Sequence, residues 1–364
     1  MKISSSAAKK YSTCGKMYEY HYIKKIRPNW TSSALLFGDA LDKALNELVL
    51  NTGVDPYETF VKGWTHAFIN KKPVYVPTAT SLLYANKDYD ANLLVQEDFD
   101  EIKRRIDCGE LKEHDFSQLV KKKKDYSWQK LTEDEKKYFN FQNWLCMKRK
   151  AWYIIEGYKV KVLPKIKKVH AVQKEIIVEN GEGDVLSGFV DLIADLEGYG
   201  TVILDHKTSA RDYDLDAVVK SEQLALYVHM EGENYNTQYG GFIVMKKNLN
   251  YNKIRTCSSC GHNGTGSRFK TCDKEIDGKR CGAEWNETTS PEAIFQIIVQ
   301  KVDRNFEEMV VENVDDVVKA VKAGIFTRNL EKCHDYYGGK CPYLDYCMSK
   351  CKDVRGLVDE SISE

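Results

Sequence analysis

The stretch from Ser187 to Ala210, SGFVDLIADLEGYGTVILDHKTSA, constrains this chain more than any other, because it reads as two strands joined by a turn, each strand carrying an acid. Gly188 to Asp195 is apolar and β-branched, with Asp191 inside it. Gly198-Tyr199-Gly200 supplies the turn, and Thr201 to Lys207 resumes β-formers before ending in Asp205-His206-Lys207. A hairpin sets Asp191 beside Asp205. Lys207 shares the face of Asp205, since strand side chains alternate with period two. A carboxylate in an apolar strand is costly unless it is paired or coordinates a cation, so two acids converging with a lysine predict a Mg²⁺ or Mn²⁺ site. Such a site suits phosphodiester hydrolysis without a covalent intermediate, the lysine positioning water or stabilising developing charge. The competing reading is a surface hairpin with an exposed Asp–Lys pair.

The wider pattern, an acid in Gly188-Phe-Val-Asp191-Leu-Ile, a turn, then Val202-Ile-Leu-Asp205-His-Lys207-Thr-Ser, resembles the PD-(D/E)XK nuclease superfamily in its RecB-like branch. Gln223-Leu-Ala-Leu-Tyr227 is similar to the Q-x-x-x-Y helix that follows the D-X-K strand in that branch. The resemblance implies an α/β fold, a restriction-endonuclease-like mixed sheet flanked by helices. It implies Asp191, Asp205, Lys207, Gln223 and Tyr227 as the catalytic set, with the metal held by Asp191, Asp205 and the main-chain carbonyl of His206. Relatives complete the metal site with G-x-x-x-H on an early helix, whereas this chain carries Asp42 four residues after Gly38. A carboxylate oxygen suits Mg²⁺ or Mn²⁺ at least as well as imidazole does. The other reading makes Asp42 helix surface. Asp39 is displaced around that helix, and Glu175 falls where many relatives carry a further acid.

Eight of the eleven cysteines fall between Cys257 and Cys351. With no signal peptide and no apolar run near twenty residues, the expected location is the cytoplasm of a bacterium or a phage-infected host, with no membrane partner; clustered cysteines there mean metal. Cys257-Ser-Ser-Cys260 with Cys272 and Cys281 predicts a zinc-ribbon-like insertion, a Zn²⁺ stapling a segment too polar for its own core. Free thiols, or His262 as a ligand, remain the alternatives. Arg268, Phe269, Lys270, Lys274, Lys279, Arg280 and Trp285 give that segment a basic, aromatic surface suited to nucleic acid or to solubility alone. The second group is Cys333, Cys341, Cys347 and Cys351. The segment around Cys14 is similar to the N-terminus of iron–sulfur members of the branch, and this resemblance implies a [4Fe–4S] clip through Cys14, Cys333, Cys341 and Cys347, with Cys351 a spare or a replacement. Zinc in the same cysteines competes. Cys108 and Cys146 read as buried free thiols.

Residues 1–160 read as a helical region carrying Cys14 and Asp42, with a helix from Ser33 to Leu50 and more between Asp90 and Gly157 around a polar connection at 107–137. The nuclease core is expected over 161–249 and 288–325, with a crossover helix from Val218 to Met230, strands over 239–245 and 293–299, and a helix over 302–324. The insertion occupies 250–287 and the cysteine-rich tail 326–364. Basic runs at Lys121–Lys124, Lys148–Lys150 and Lys159–Lys168, and Trp128, Trp144 and Trp152, offer DNA contacts or, as the plainer reading, solvated faces and packing. The 54 basic and 54 acidic residues balance, which leaves DNA binding open. The chain has no P-loop of the G-x-x-x-x-G-K-[ST] form, so any unwinding comes from a helicase or recombination partner. The function expected is a Mg²⁺- or Mn²⁺-dependent DNA exonuclease acting on single strands or ends, in recombination, repair, CRISPR adaptation or phage DNA processing. Two other classes are a non-catalytic DNA-binding subunit of a helicase–nuclease complex and a zinc-only adaptor.

Overall fold

The computed structural model describes residues 1–29, 31–64, 74–75, 93–114, 132–179, 183–265, 267–336 and 340–362. Trp128 and Lys121–Lys124 lie outside the described residues. The strands named below are β1 (Lys2–Ser4), β2 (Ile166–Glu179), β3 (Val185–Leu196), β4 (Gly200–Ser209), β5 (Tyr239–Lys246), β6 (Asn250–Cys257), β7 (Trp285–Glu292) and β8 (Phe295–Lys301). The helices are α1 (Ser5–Thr13), α2 (Ser33–Leu50), α3 (Pro56–Gly63), α4 (Gln96–Asp107), α5 (Glu133–Lys161), α6 (Glu222–Glu231) and α7 (Arg304–Lys322).

Six strands form the central mixed sheet. The predicted hairpin is β3 and β4, paired antiparallel from Leu192↔Leu204 to Leu196↔Gly200, and Gly198 and Gly200 take the positive φ that its turn requires. β4 runs parallel to β5 through the crossover carrying α6, and β8 closes that edge antiparallel to β5. β2 pairs along the whole of β3 on one side. On the other side β3 meets β4 over its last five residues and β1 over Val185–Ser187, leaving Gly188–Asp191 between the two ladders.

Both faces are covered, as a sheet with parallel strands requires. On one, Phe37, Leu41 and Leu45 of α2 and Ile154 and Tyr158 of α5 pack on Leu192, Leu204 and Ile243. On the other, Leu224 and Val228 of α6 and Val310 of α7 pack on Ile193, Ile203 and Phe242. Each such fully buried side chain contributes about 1.5–3 kcal/mol. A smaller cluster joins Ile3, Ala7 and Ala8 to Val314, Val317 and Val321 of α7, fixing α1 against the core.

The strand expected over 293–299 and the helix expected over 302–324 are Phe295–Lys301 and Arg304–Lys322, and two other helix starts differ for a clear reason. The crossover helix starts at Glu222 and not at Val218, because the Ser221 hydroxyl accepts from Leu224 N and caps it. α5 starts inside the expected connection: its polar first turn, Glu133 to Glu135, is half of a capping box with Thr132. β6 and β7 pair with each other as the two arms of the cysteine-bearing insertion. Ile26–Pro28 pairs antiparallel with Leu357–Asp359, drawing the two ends of the chain together.

Candidate active site

The hairpin ladder ends at Leu192↔Leu204, and the next residues outward are Asp191 and Asp205. The strands splay there, and the Asp191 carboxylate fills the gap by accepting the His206 amide at 2.8 Å. Alternation sends Asp205 and Lys207 to the α6 face and the His206 side chain to the α2 and α5 face. Lys207 Nζ lies 2.6 Å from Asp205 Oδ2, yet that buried oxygen lacks a properly directed hydrogen-bond donor, so the contact is an ion pair alone. The same ammonium donates to Gln223 Oε1 at 3.1 Å, and Gln223 Nε2 donates to Tyr227 Oη at 3.0 Å. Residues 223 and 227 meet because they are one helical turn apart. Tyr227 reaches the strand because position 188 is glycine: a Cβ there would stand 2.6 Å from Tyr227 Cε1.

α2 brings Asp42 to the opposite side of the same acids. Asp42 Oδ1 lies 3.2 Å from His206 Nδ1, and His206 Nε2 lies 3.0 Å from the Tyr158 hydroxyl. Gln173 Nε2 bridges the carboxylates, 2.5 Å from Asp42 Oδ2 and 3.2 Å from Asp191 Oδ1. Asp42, Asp191 and His206 each offer a donor atom within 4.8 Å of the others. Burial, then the charges of Asp205 and Asp42, push the Asp191 carboxyl up to about 7. Burial also raises Asp205 against the pull of Lys207. Burial alone would lower the Lys207 ammonium and the His206 imidazole; Asp205 outweighs it for the first and Asp42 for the second, and both are held above their usual values. Asp42, Asp191 and His206 are close enough for one divalent cation, and Asp205, ion-paired with Lys207, adds its charge beside Asp191; the carboxylate oxygens among them suit a hard ion.

The other candidates fall apart from this cluster. Asp39 is exposed and pairs with Lys43 at 2.7 Å. Glu175 pairs with Lys2 at 3.1 Å on the exposed edge. Trp144 exchanges indole–carbonyl hydrogen bonds with Trp64 in the core, Trp152 is surface, and Lys159, Lys161 and Lys167 are paired with Glu156, Glu292 and Glu197. Gln173, Tyr158 and the His206 imidazole were not legible as site residues. For His206 period-two alternation held the signal, but Gln173 has φ 47° and so escapes strand periodicity.

The insertion gathers Cys257, Cys260, Cys272 and Cys281 with all sulfurs within 4.8 Å of one another. The Cys257–Cys281 and Cys260–Cys272 sulfur separations are 3.6 and 3.7 Å. A tetrahedron of thiolates around zinc has an edge of about 3.8 Å, so the set fits that ion. The Cys260 and Ser259 amides donate to Cys257 Sγ at 3.4 Å and hold its thiol down to about 6. At the chain ends, burial and then the charges of Cys14, Cys333 and Cys347 push the Cys341 thiol up to about 11, which ties the four into one neighbourhood. Cys351 Sγ lies 3.8 Å from Tyr20 Oη, a hydroxyl that Cys347 also meets. Lys16 N donates to Thr327 O at 3.1 Å beside Cys14. Cys146 is buried, whereas Cys108 is exposed, at the C-cap of α4.

A mixed sheet that splays at two acids, with a lysine beside the second, is the frame of a hydrolytic nuclease. The chain belongs to the PD-(D/E)XK nuclease superfamily, whose family model matches residues 2–348. Among solved structures, a candidate exonuclease from Eubacterium rectale aligns at 12% identity over 90% of this chain and 84% of its own, with a TM-score of 0.36. SSO0001 aligns at 16% identity over 41% of this chain and 50% of its own, with a TM-score of 0.20. A search of the curated proteins gives no match. Among the described residues no helix is long and apolar enough to cross a membrane.

Proposed function

We propose that the chain is a Mg²⁺- or Mn²⁺-dependent deoxyribonuclease that hydrolyses phosphodiester bonds at DNA ends or in single strands, as RecB-like members of the superfamily do. The observation that carries this reading is the buried Asp205 paired with the half-buried Lys207 beside Asp191, at the point where the strands part. Asp42, Asp191, Asp205 and the main-chain carbonyl of His206 hold the cation. Bound there, it neutralises phosphate oxygens and makes water a better nucleophile. Lys207 moves from Asp205 toward the scissile phosphate, where its ammonium orients the attacking water and offsets developing charge. Gln223 limits that movement through its hydrogen bond to Nζ, and Tyr227 braces Gln223.

The insertion is a structural Zn²⁺ ribbon through Cys257, Cys260, Cys272 and Cys281. Cys14, Cys333, Cys341 and Cys347 hold a [4Fe–4S] cluster that ties the chain ends. The electrostatic influence of Cys14, Cys333 and Cys347 on Cys341 supports this reading, since such a cluster takes one thiolate on each iron. A helicase or recombination partner and a cytoplasmic setting complete the proposal.

The second reading, a DNA-binding subunit without catalysis, is favoured by one feature, Asp42 where relatives carry histidine. Incubating end-labelled single- and double-stranded DNA, and RNA of the same sequence, with Mg²⁺ or Mn²⁺ separates the two. The expected outcome is metal-dependent loss of DNA, with RNA left intact. Tight DNA binding with no cleavage in either metal gives the second reading.

A further inference from the structure

Gln173 sits mid-strand in β2 with φ 47°, a conformation that side-chain-bearing residues adopt rarely and that gathers at functional sites. The break is visible in its neighbours. Val172 packs in the core under α2 and α5, while Lys174, two residues on, reaches Glu231 of α6 at 2.6 Å on the other face. Regular alternation would put both on one face. The positive φ of Gln173, in a ladder that keeps its register on both sides, accompanies a side chain that enters the site, where Nε2 contacts Asp42 and Asp191 together. Carboxylates only accept, so the nitrogen end of the amide must face them. It occupies the space in which a cation shared by these two acids would stand.

We infer that Gln173 is an exchangeable arm of the metal site: its amide nitrogen holds Asp42 and Asp191 together before the cation arrives, then turns over to present Oε1 as an oxygen ligand. The inference rests on the metal reading proposed above. An amide N–H₂ is repelled by a cation that its own carbonyl oxygen attracts, and the terminal torsion of glutamine is soft and two-fold, so the exchange needs no backbone movement. The break in β2 serves to keep both ends of the amide within reach.

The test is Mn²⁺ titration of the full chain, with its cysteine sites loaded, for wild type, Gln173→Asn, Gln173→Gly and Asp191→Asn. Asparagine keeps the amide and tolerates left-handed backbone but is one methylene short; glycine relaxes the backbone and removes the side chain. Both variants are expected to melt as a folded protein and to bind Mn²⁺ about ten- to a hundredfold more weakly than wild type. In ¹⁵N-glutamine-labelled protein the side-chain amide signal that is missing from Gln173→Asn should shift when Mg²⁺ is added. Variants that bind as tightly as wild type or tighter, with that signal unmoved, overturn the inference and leave the metal site standing. A wild type that binds no better than Asp191→Asn overturns both.

Discussion

Gly188 sets the position of Lys207 through three contacts: its missing Cβ admits the Tyr227 ring, Tyr227 receives Gln223, and Gln223 receives Lys207. Gly188→Ala therefore displaces Tyr227 and is expected to lower kcat about tenfold or more while DNA affinity stays close to wild type, since small misplacements of catalytic groups are costly. Steady-state kinetics separate the two parameters. Asp191 carries a cost of another kind, being a buried acid beside two others. Asp191→Asn removes one of three mutually repelling charges, so it should abolish cleavage yet raise the melting temperature of chelator-treated protein by about 2 °C or more. Thermal melts in chelator check the sign. The acids and the lysine were readable because charged residues interrupt apolar strands. Gln173 was not, because a single positive φ inside a strand leaves no trace in spacing.

At the scale of elements, the sequence located helices and strands by periodicity and missed where polarity served a cap, as at Thr132 and Ser221. Where the two ends of the chain meet, His21 Nδ1 lies 2.9 Å from Tyr343 Oη. Burial, then the charges of Lys10 and Arg27, hold its imidazole down to about 4. The unfolded chain takes up that proton near pH 6.5 and the folded chain only near 4, so the unfolded state binds more protons between these values. Stability from this group is complete above about pH 6.5 and is lost as the pH falls toward 4. Melting curves between pH 4 and 7 should fall less steeply for His21→Gln than for wild type. The ribbon makes a separate prediction: Cys281→Ser should lower bound zinc and open the 257–287 segment to proteolysis, while the far-ultraviolet spectrum of the remainder persists. Zinc content and limited digestion report both.

For the whole molecule, the sequence carried the fold class because the β3–β4 hairpin and the crossover bearing α6 dictate a mixed sheet covered on both faces. It did not carry the convergence of α2, α5 and β2 on the acids, since Asp42 and Gln173 are 131 residues apart in sequence and only tertiary packing joins them. The central claim is that the Asp205–Lys207 pair beside Asp191 is a working phosphodiesterase site. The measurement that tests it most directly is single-turnover degradation of end-labelled DNA, with binding measured in parallel, for wild type and Lys207→Ala. The account predicts metal-dependent cleavage by wild type and, in the variant, binding within a few-fold of wild type with a rate at least about a hundredfold lower. A variant that binds DNA and cuts it as fast as wild type would contradict the account.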